Sequence, residues 1–171
     1  LWWQDFGNKS DPSVVLIMGA NANALYWDQR FIDELVKNKY HVVIFDNRDV
    51  GKSTWFNKEP LLAKLGKFVP VSLSRKLVSY AFKSLVNDDG NFEMPEGKGA
   101  KYDLNDMARD AIGLMDYLDI TKAHIVGASM GGMITQIIGL DYPDKVLSLT
   151  PIMSSPGVGD NSLSGVTPSL V

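Results

Sequence analysis

The chain has no cysteine and only two histidines, His41 and His124, among its 171 residues. The first absence excludes disulfides and thiolate metal sites and is compatible with a reducing cytosol. The second confines any histidine-dependent chemistry to two positions. No apolar run reaches the ~18 residues needed to span a bilayer, and the N-terminus lacks the charged-then-apolar layout of a secretory signal. The expectation is a cytoplasmic protein without a stable membrane anchor. Positive charge is not in excess either. With 17 Lys and Arg against 20 Asp and Glu, the formal net charge is −3, and nothing suggests a nucleic-acid partner. Internal repeats and low-complexity tracts are also missing.

What is present is an alternation of strand and helix, the pattern of a mostly parallel sheet with helices on both faces. Residues 14–18 read as a buried strand. A loop over residues 19–24 precedes a helix at about 27–37, in which Phe31, Leu35 and Val36 can face the sheet, and residues 41–45 form the next strand. Asp103 is placed to cap a helix in which Leu104, Met107, Ala108, Ala111, Ile112, Met115 and Leu118 recur at helical spacing. A short strand at 123–126 follows, then an apolar helix that ends at Tyr142-Pro143-Asp144. Residues 145–151 begin another strand before the chain turns rich in Ser, Gly and Pro.

Between the strand at 123–126 and its helix lies Gly127-Ala128-Ser129-Met130-Gly131. This is a G-x-S-x-G sequence in the strand–turn–helix context that a nucleophile elbow requires, and it makes Ser129 the candidate nucleophile. A serine lifted out of a sheet on a strained turn needs small neighbours two residues to either side, since a Cβ there would crowd the adjoining backbones. Gly127 and Gly131 meet that need. The same turn aims the Met130 amide and the start of the following helix at negative charge developing on a substrate oxygen, which supplies half of an oxyanion hole.

Four segments in order resemble the α/β-hydrolases, and more closely the esterase-like branch that includes the aclacinomycin methylesterases. They are Leu16-Ile17-Met18-Gly19-Ala20-Asn21 leading to Trp27, Phe45-Asp46-Asn47-Arg48-Asp49-Val50-Gly51-Lys52-Ser53, Val126 to Met133 around the elbow, and Val146-Leu147-Ser148-Leu149-Thr150. In the first, Met18-Gly19 stands where the wider fold commonly has His-Gly, so the resemblance implies that the Ala20 amide is the second oxyanion donor. In the second, Asp49 replaces a glycine of the usual D-x-R-G-x-G-x-S loop. The resemblance also implies a chain order of nucleophile, then acid, then histidine on later strands. It implies an α/β-hydrolase core over residues 1–171 that is incomplete at both ends, with a helical excursion at about 58–95 and the start of a lid at about 155–171.

Within the excursion, residues 58–86 hold two amphipathic runs with six basic residues against one acid, Glu59. A cap over the site or a basic membrane-surface helix are functional readings. Local packing of the apolar face is preferred, because the Lys and Arg are scattered and not massed on one side. Val50-Gly51-Lys52-Ser53-Thr54 imitates the end of a phosphate-binding P-loop, but the glycine required five residues before Gly51 is Asp46, whose carboxylate would repel phosphate.

A serine nucleophile needs a histidine within hydrogen-bond reach, itself oriented by a carboxylate. His124 lies five residues before Ser129 on one strand, which holds it ~16 Å away. His41 opens its strand, at the end opposite to that where sites of open parallel sheets form. Neither can serve, so the acid and base are expected outside this sequence. The expected function is a serine carboxylic-ester hydrolase using Ser129, with Ala20 and Met130 amides as oxyanion donors, a small-molecule ester as substrate, and no cofactor or metal. Thioesterase, carbon–carbon hydrolase and acyltransferase chemistry stay open on the same residues, as does a non-catalytic ligand-binding protein or inactive fragment.

Overall fold

Two strands rich in β-branched residues organise the molecule. In the computed structural model, β2 (Ser13–Ile17) and β3 (His41–Phe45) are buried at every position, as expected of parallel strands covered on both faces. The structure describes residues 1–57 and 101–156. The expected helical excursion at 58–95, its basic amphipathic run, and the lid segment beyond residue 156 lie outside the described residues.

Among the described residues, the sheet has five strands in the order β1-β3-β2-β4-β5, with β1 at Trp3–Phe6, β4 at Ala123–Ala128 and β5 at Val146–Ile152. The β3/β2, β2/β4 and β4/β5 pairs are parallel, whereas β1 runs antiparallel to β3 from Trp3 opposite Phe45 to Phe6 opposite Val42. Alternation along the strands divides the core. Val15, Ile17, Val43 and Phe45 join one cluster, while Val14, Leu16, Val42 and Ile44 join the other.

Among the described residues, three α-helices cover the faces. α1 (Gln29–Lys37) lies on the second cluster through Ile32, and α2 (Leu104–Tyr117) and α3 (Met130–Asp141) lie on the first through Met107, Ala111, Met115, Ile134 and Ile138. The Asp103 cap of α2 is present as a full capping box. Its carboxylate accepts from the Asp106 amide at 2.9 Å, and the Asp106 carboxylate accepts from the Asp103 amide at 2.9 Å. These backbone bonds hold both carboxyls below the usual aspartate range.

α1 corrects one expectation. Asp28 caps it by accepting from the Arg30 amide at 2.9 Å, so Trp27 stays outside the helix. Ile32 then takes the buried position, and Phe31 is 39% exposed and stacked on Trp27 at 5.8 Å. Among the described residues, no helix is long and apolar enough to cross a membrane.

Candidate active site

Ser129 stands between the end of β4 and the first residue of α3 with φ 54° and ψ −120°. A side chain with a Cβ adopts that conformation only at a cost of about 1–3 kcal/mol, which the surroundings must over-determine. They do so from three sides. The Ser129 amide donates to Ile152 O of β5 at 2.9 Å, its carbonyl accepts from the Gly132 amide at 2.8 Å, and the glycines on either side allow two backbones to close in. A Cβ on Gly127 would lie 2.1 Å from Gly131 O, and one on Gly131 would lie 2.1 Å from Ile17 O of β2. The side chain of Ser129 is exposed at the carboxyl end of the sheet.

The loop after β2 comes to the same place. A Cβ on Gly19 would sit 3.1 Å from Ser129 Cβ and 3.6 Å from its Oγ, so the Gly19–Ala20 segment lies directly beside the serine. Among the described residues, neither the Ala20 amide nor the Met130 amide donates to another group of the chain. Met130 is also the first residue of α3, where unpaired N–H groups and the helix dipole favour negative charge. The structure therefore brings together the three residues picked from the sequence.

The histidines lie elsewhere. The strand register pairs Ser13 with His41 and Val14 with His124, which places both rings at the amino edge of the sheet, while Ser129 follows its carboxyl edge. His41 is buried, with Nδ1 3.1 Å from Ser13 Oγ and Nε2 3.1 Å from Asp5 Oδ2. Burial pushes the Asp5 carboxyl up, but hydrogen bonds from His41 and Lys9 outweigh it and hold the group below its ordinary value. His124 packs edge-on to Tyr40 and has Nδ1 2.8 Å from Ser148 Oγ.

Sequence reasoning missed what the turn after β3 does. Asp46 appeared there only as an obstacle to phosphate. In the structure its carboxylate accepts from the Ala24 amide at 2.8 Å and from the Lys52 amide at 2.8 Å, so it occupies a loop amide itself. Gly51 is required beside it, since φ is 53° and a Cβ would fall 2.1 Å from Asp46 Oδ2. Ser53 closes the loop by donating to Asp46 O at 2.5 Å and accepting from the Trp2 amide at 2.9 Å.

Asp49 takes the left-handed φ of 60° that explains a glycine at this place in related loops. Its carboxylate accepts from the Phe56 amide at 2.5 Å and from Tyr102 Oη at 2.8 Å. Burial, and then the Asp49 hydrogen bond and charge, push the Tyr102 phenol up to about 12. Arg48 pins this loop to α2 through a two-pronged pair with Asp110 at 2.7 and 2.8 Å, its guanidinium lying over both the Phe56 and Tyr102 rings. Among the described residues, no group of three or more metal-ligating side chains converges.

A family model described as the alpha/beta hydrolase fold matches residues 12–164. The chain belongs to that family. Its relatives include rhodomycin D methylesterase DnrP of Streptomyces peucetius, 26% identical over 153 residues that cover 90% of this chain and 38% of that protein. They also include a 2-hydroxy-6-oxononadienedioate/2-hydroxy-6-oxononatrienedioate hydrolase of Escherichia coli, 30% identical over 91% of this chain and 40% of that protein. The crystal structure of a hydrolase from Pseudomonas aeruginosa PA01 superposes with a TM-score of 0.63 at 20% identity, covering 92% of this chain and 43% of that one. The α/β-hydrolase chain described here thus spans about two fifths of the length of the curated relatives it matches. The esterase-like resemblance read from its four segments agrees with a methylesterase among those relatives.

Proposed function

We propose that this chain carries the nucleophile and oxyanion hole of a serine carboxylic-ester hydrolase acting on a small-molecule ester. The observation that carries the proposal is the strained, exposed Ser129 at φ 54°, held on an elbow with the Gly19–Ala20 backbone against it. Strain retained at an exposed polar residue is an outlier that points to function.

In this mechanism Ser129 Oγ attacks the ester carbonyl as its proton passes to a histidine, and the oxyanion is held by the Ala20 and Met130 amides. Collapse expels the alcohol, which takes the proton from the histidine. Water then attacks the acyl-enzyme with the same histidine as base, releasing the carboxylate and restoring the serine. Because the only two histidines of the sequence sit at the far edge of the sheet, the base and its acid come from residues beyond the present sequence. A methylesterase among the relatives supports an ester as substrate. The proposed location is the cytoplasm.

The test is Ser129→Ala in the longer polypeptide that supplies the base, assayed with a chromogenic short-chain ester. Loss of several orders of magnitude in kcat with unchanged thermal stability is expected. Turnover within about tenfold of wild type would remove the nucleophile assignment.

A further inference from the structure

The Ala20 amide belongs to a loop with no regular secondary structure, yet an oxyanion donor works only if its direction is fixed before the charge develops. Two polar residues at the end of β3 meet that need. Asp46 and Asn47 are 3% and 2% exposed, and polar groups buried so deeply carry hydrogen bonds that account for them. Asn47 Nδ2 donates to Met18 O at 2.9 Å, and Asp46 Oδ1 accepts from the Ala24 amide at 2.8 Å. The loop from Met18 to Ala24 is thereby tied at its first and last residues to successive residues of one strand end. Between the ties, Gly19 O faces the Ala22 amide at 3.4 Å. In a trans peptide the C=O and N–H point in opposite directions, so the Ala20 N–H is turned away from that contact.

The Met18 carbonyl has a second neighbour. A Cβ on Gly131 would lie 2.9 Å from Met18 O, so the carbonyl that Asn47 holds also rests against the first turn of α3. That turn carries Met130. One peptide group is therefore wedged between the two donors, and the Asn47 side chain is what fixes its orientation.

We infer that Asn47, assisted by Asp46, is a positioning residue that sets the Ala20 amide relative to the Met130 amide. This rests on the proposed oxyanion role of those amides. Asn47 touches no reacting atom and acts through the Met18–Gly19 peptide. Releasing it lets the Ala20 N–H turn from its aim while the Met130 N–H, fixed by the helix, stays in place.

The experiment uses the longer active polypeptide with two replacements, Asn47→Ser, which fits the space and shortens the donor, and Asn47→Leu, which keeps the branched heavy-atom shape and removes it. Active sites are counted by fluorophosphonate titration, so that loss of folded protein does not pass for loss of rate. The expected result is a fall in kcat of about 10- to 100-fold, less than the complete loss of an oxyanion donor, with KM changed less than about threefold. Inhibition by a phenylboronic acid, whose adduct places an oxygen in the hole, should weaken by the same factor as kcat. If both variants lose only thermal stability and retain kcat per titrated site, Asn47 is merely structural and the inference fails. The Ser129→Ala control separates this from failure of the hydrolase reading. An active alanine variant overturns both, whereas an inactive one beside fully active Asn47 variants overturns the positioning role alone.

Discussion

Two glycines inside helices give the elbow its sharpest test, because helix propensity predicts the same outcome for both and close packing predicts opposite ones. Gly113 lies exposed in α2 with nothing within 4 Å of where a Cβ would stand. Gly113→Ala should stabilise by up to about 1 kcal/mol, the ordinary preference for alanine in a helix. At Gly131 the new methyl would fall 2.1 Å from Ile17 O, 2.8 Å from Ile17 C and 2.9 Å from Met18 O. All three are backbone atoms at the carboxyl end of β2, a strand paired on both sides, so no flexible side chain can yield. Overpacking of this kind costs about 1–3 kcal/mol and occasionally more. After the propensity gain, Gly131→Ala should lose about 2 kcal/mol, and Gly131→Val should lose several or fail to fold. For a chain of this size each kcal/mol moves Tm by roughly 2–4 °C. Thermal unfolding should therefore rise by a few degrees for Gly113→Ala and fall by roughly 4–8 °C for Gly131→Ala. Equal shifts of the same sign would mean that helix α3 does not approach β2 closely at Ser129, and the elbow would lose its main structural support.

Two further outcomes follow from the placement of the histidines. The 171-residue chain by itself should hydrolyse no chromogenic ester; rapid stoichiometric labelling of its Ser129 by a fluorophosphonate would show a base within reach and contradict the strand register. At the other edge of the sheet, the lowered Asp5 carboxyl contributes stability that is present above its unfolded value of 3.8 and is lost as pH falls through its lower folded value. The stability gap between wild type and Asp5→Asn, followed by urea unfolding, should be open at neutral pH and close below about pH 4; a gap that widens in acid would refute the assigned partners.

The parts of the fold that could be read in the sequence are those written in local pattern. β2 and β3 announce themselves as runs of Val, Ile and Leu buried on both faces, and α2 by its Asp103 cap and helical spacing. β1 was missed because four residues, Trp3-Gln4-Asp5-Phe6, carry no periodicity of their own and are made a strand by antiparallel pairing with β3 about forty positions away. Phe31 was assigned to the buried face because its spacing to Leu35 fits one helical stripe, but Ile32, three residues before Leu35 and four before Val36, lies nearer the centre of that stripe and takes the core position. At the candidate site, Ser129 and Met130 could be picked out because a strained turn with close backbone approach demands glycine at fixed spacing, whereas Ala20 came from the family resemblance. Asp46 and Asn47 were not legible, since a buried polar side chain that fastens another loop leaves no spacing in the sequence to count.

The polarity of the sheet decides between two arrangements of serine, histidine and aspartate that composition alone cannot separate. Ser13, His41 and Asp5 lie within hydrogen-bond distance in sequence, His41 between the other two, as in a catalytic triad. They form at the amino edge, where the strands enter, and Ser13 and His41 are 7% and 2% exposed, so no ester can reach the hydroxyl. Ser13 is an ordinary strand residue paired with His41 and Ala123, and its amide is not followed by a helix whose N-terminus could hold an oxyanion. Ser129 has the reverse endowment: an exposed hydroxyl, a strained turn, a helix N-terminus and two amides without a partner among the described residues, but no histidine. A nucleophile requires access and charge stabilisation at its own position, whereas a base can be delivered by another segment of chain. These contrasts support the proposal of Ser129 as the nucleophile, and the Ser13–His41–Asp5 cluster satisfies buried polar groups where β1, β2 and β3 meet.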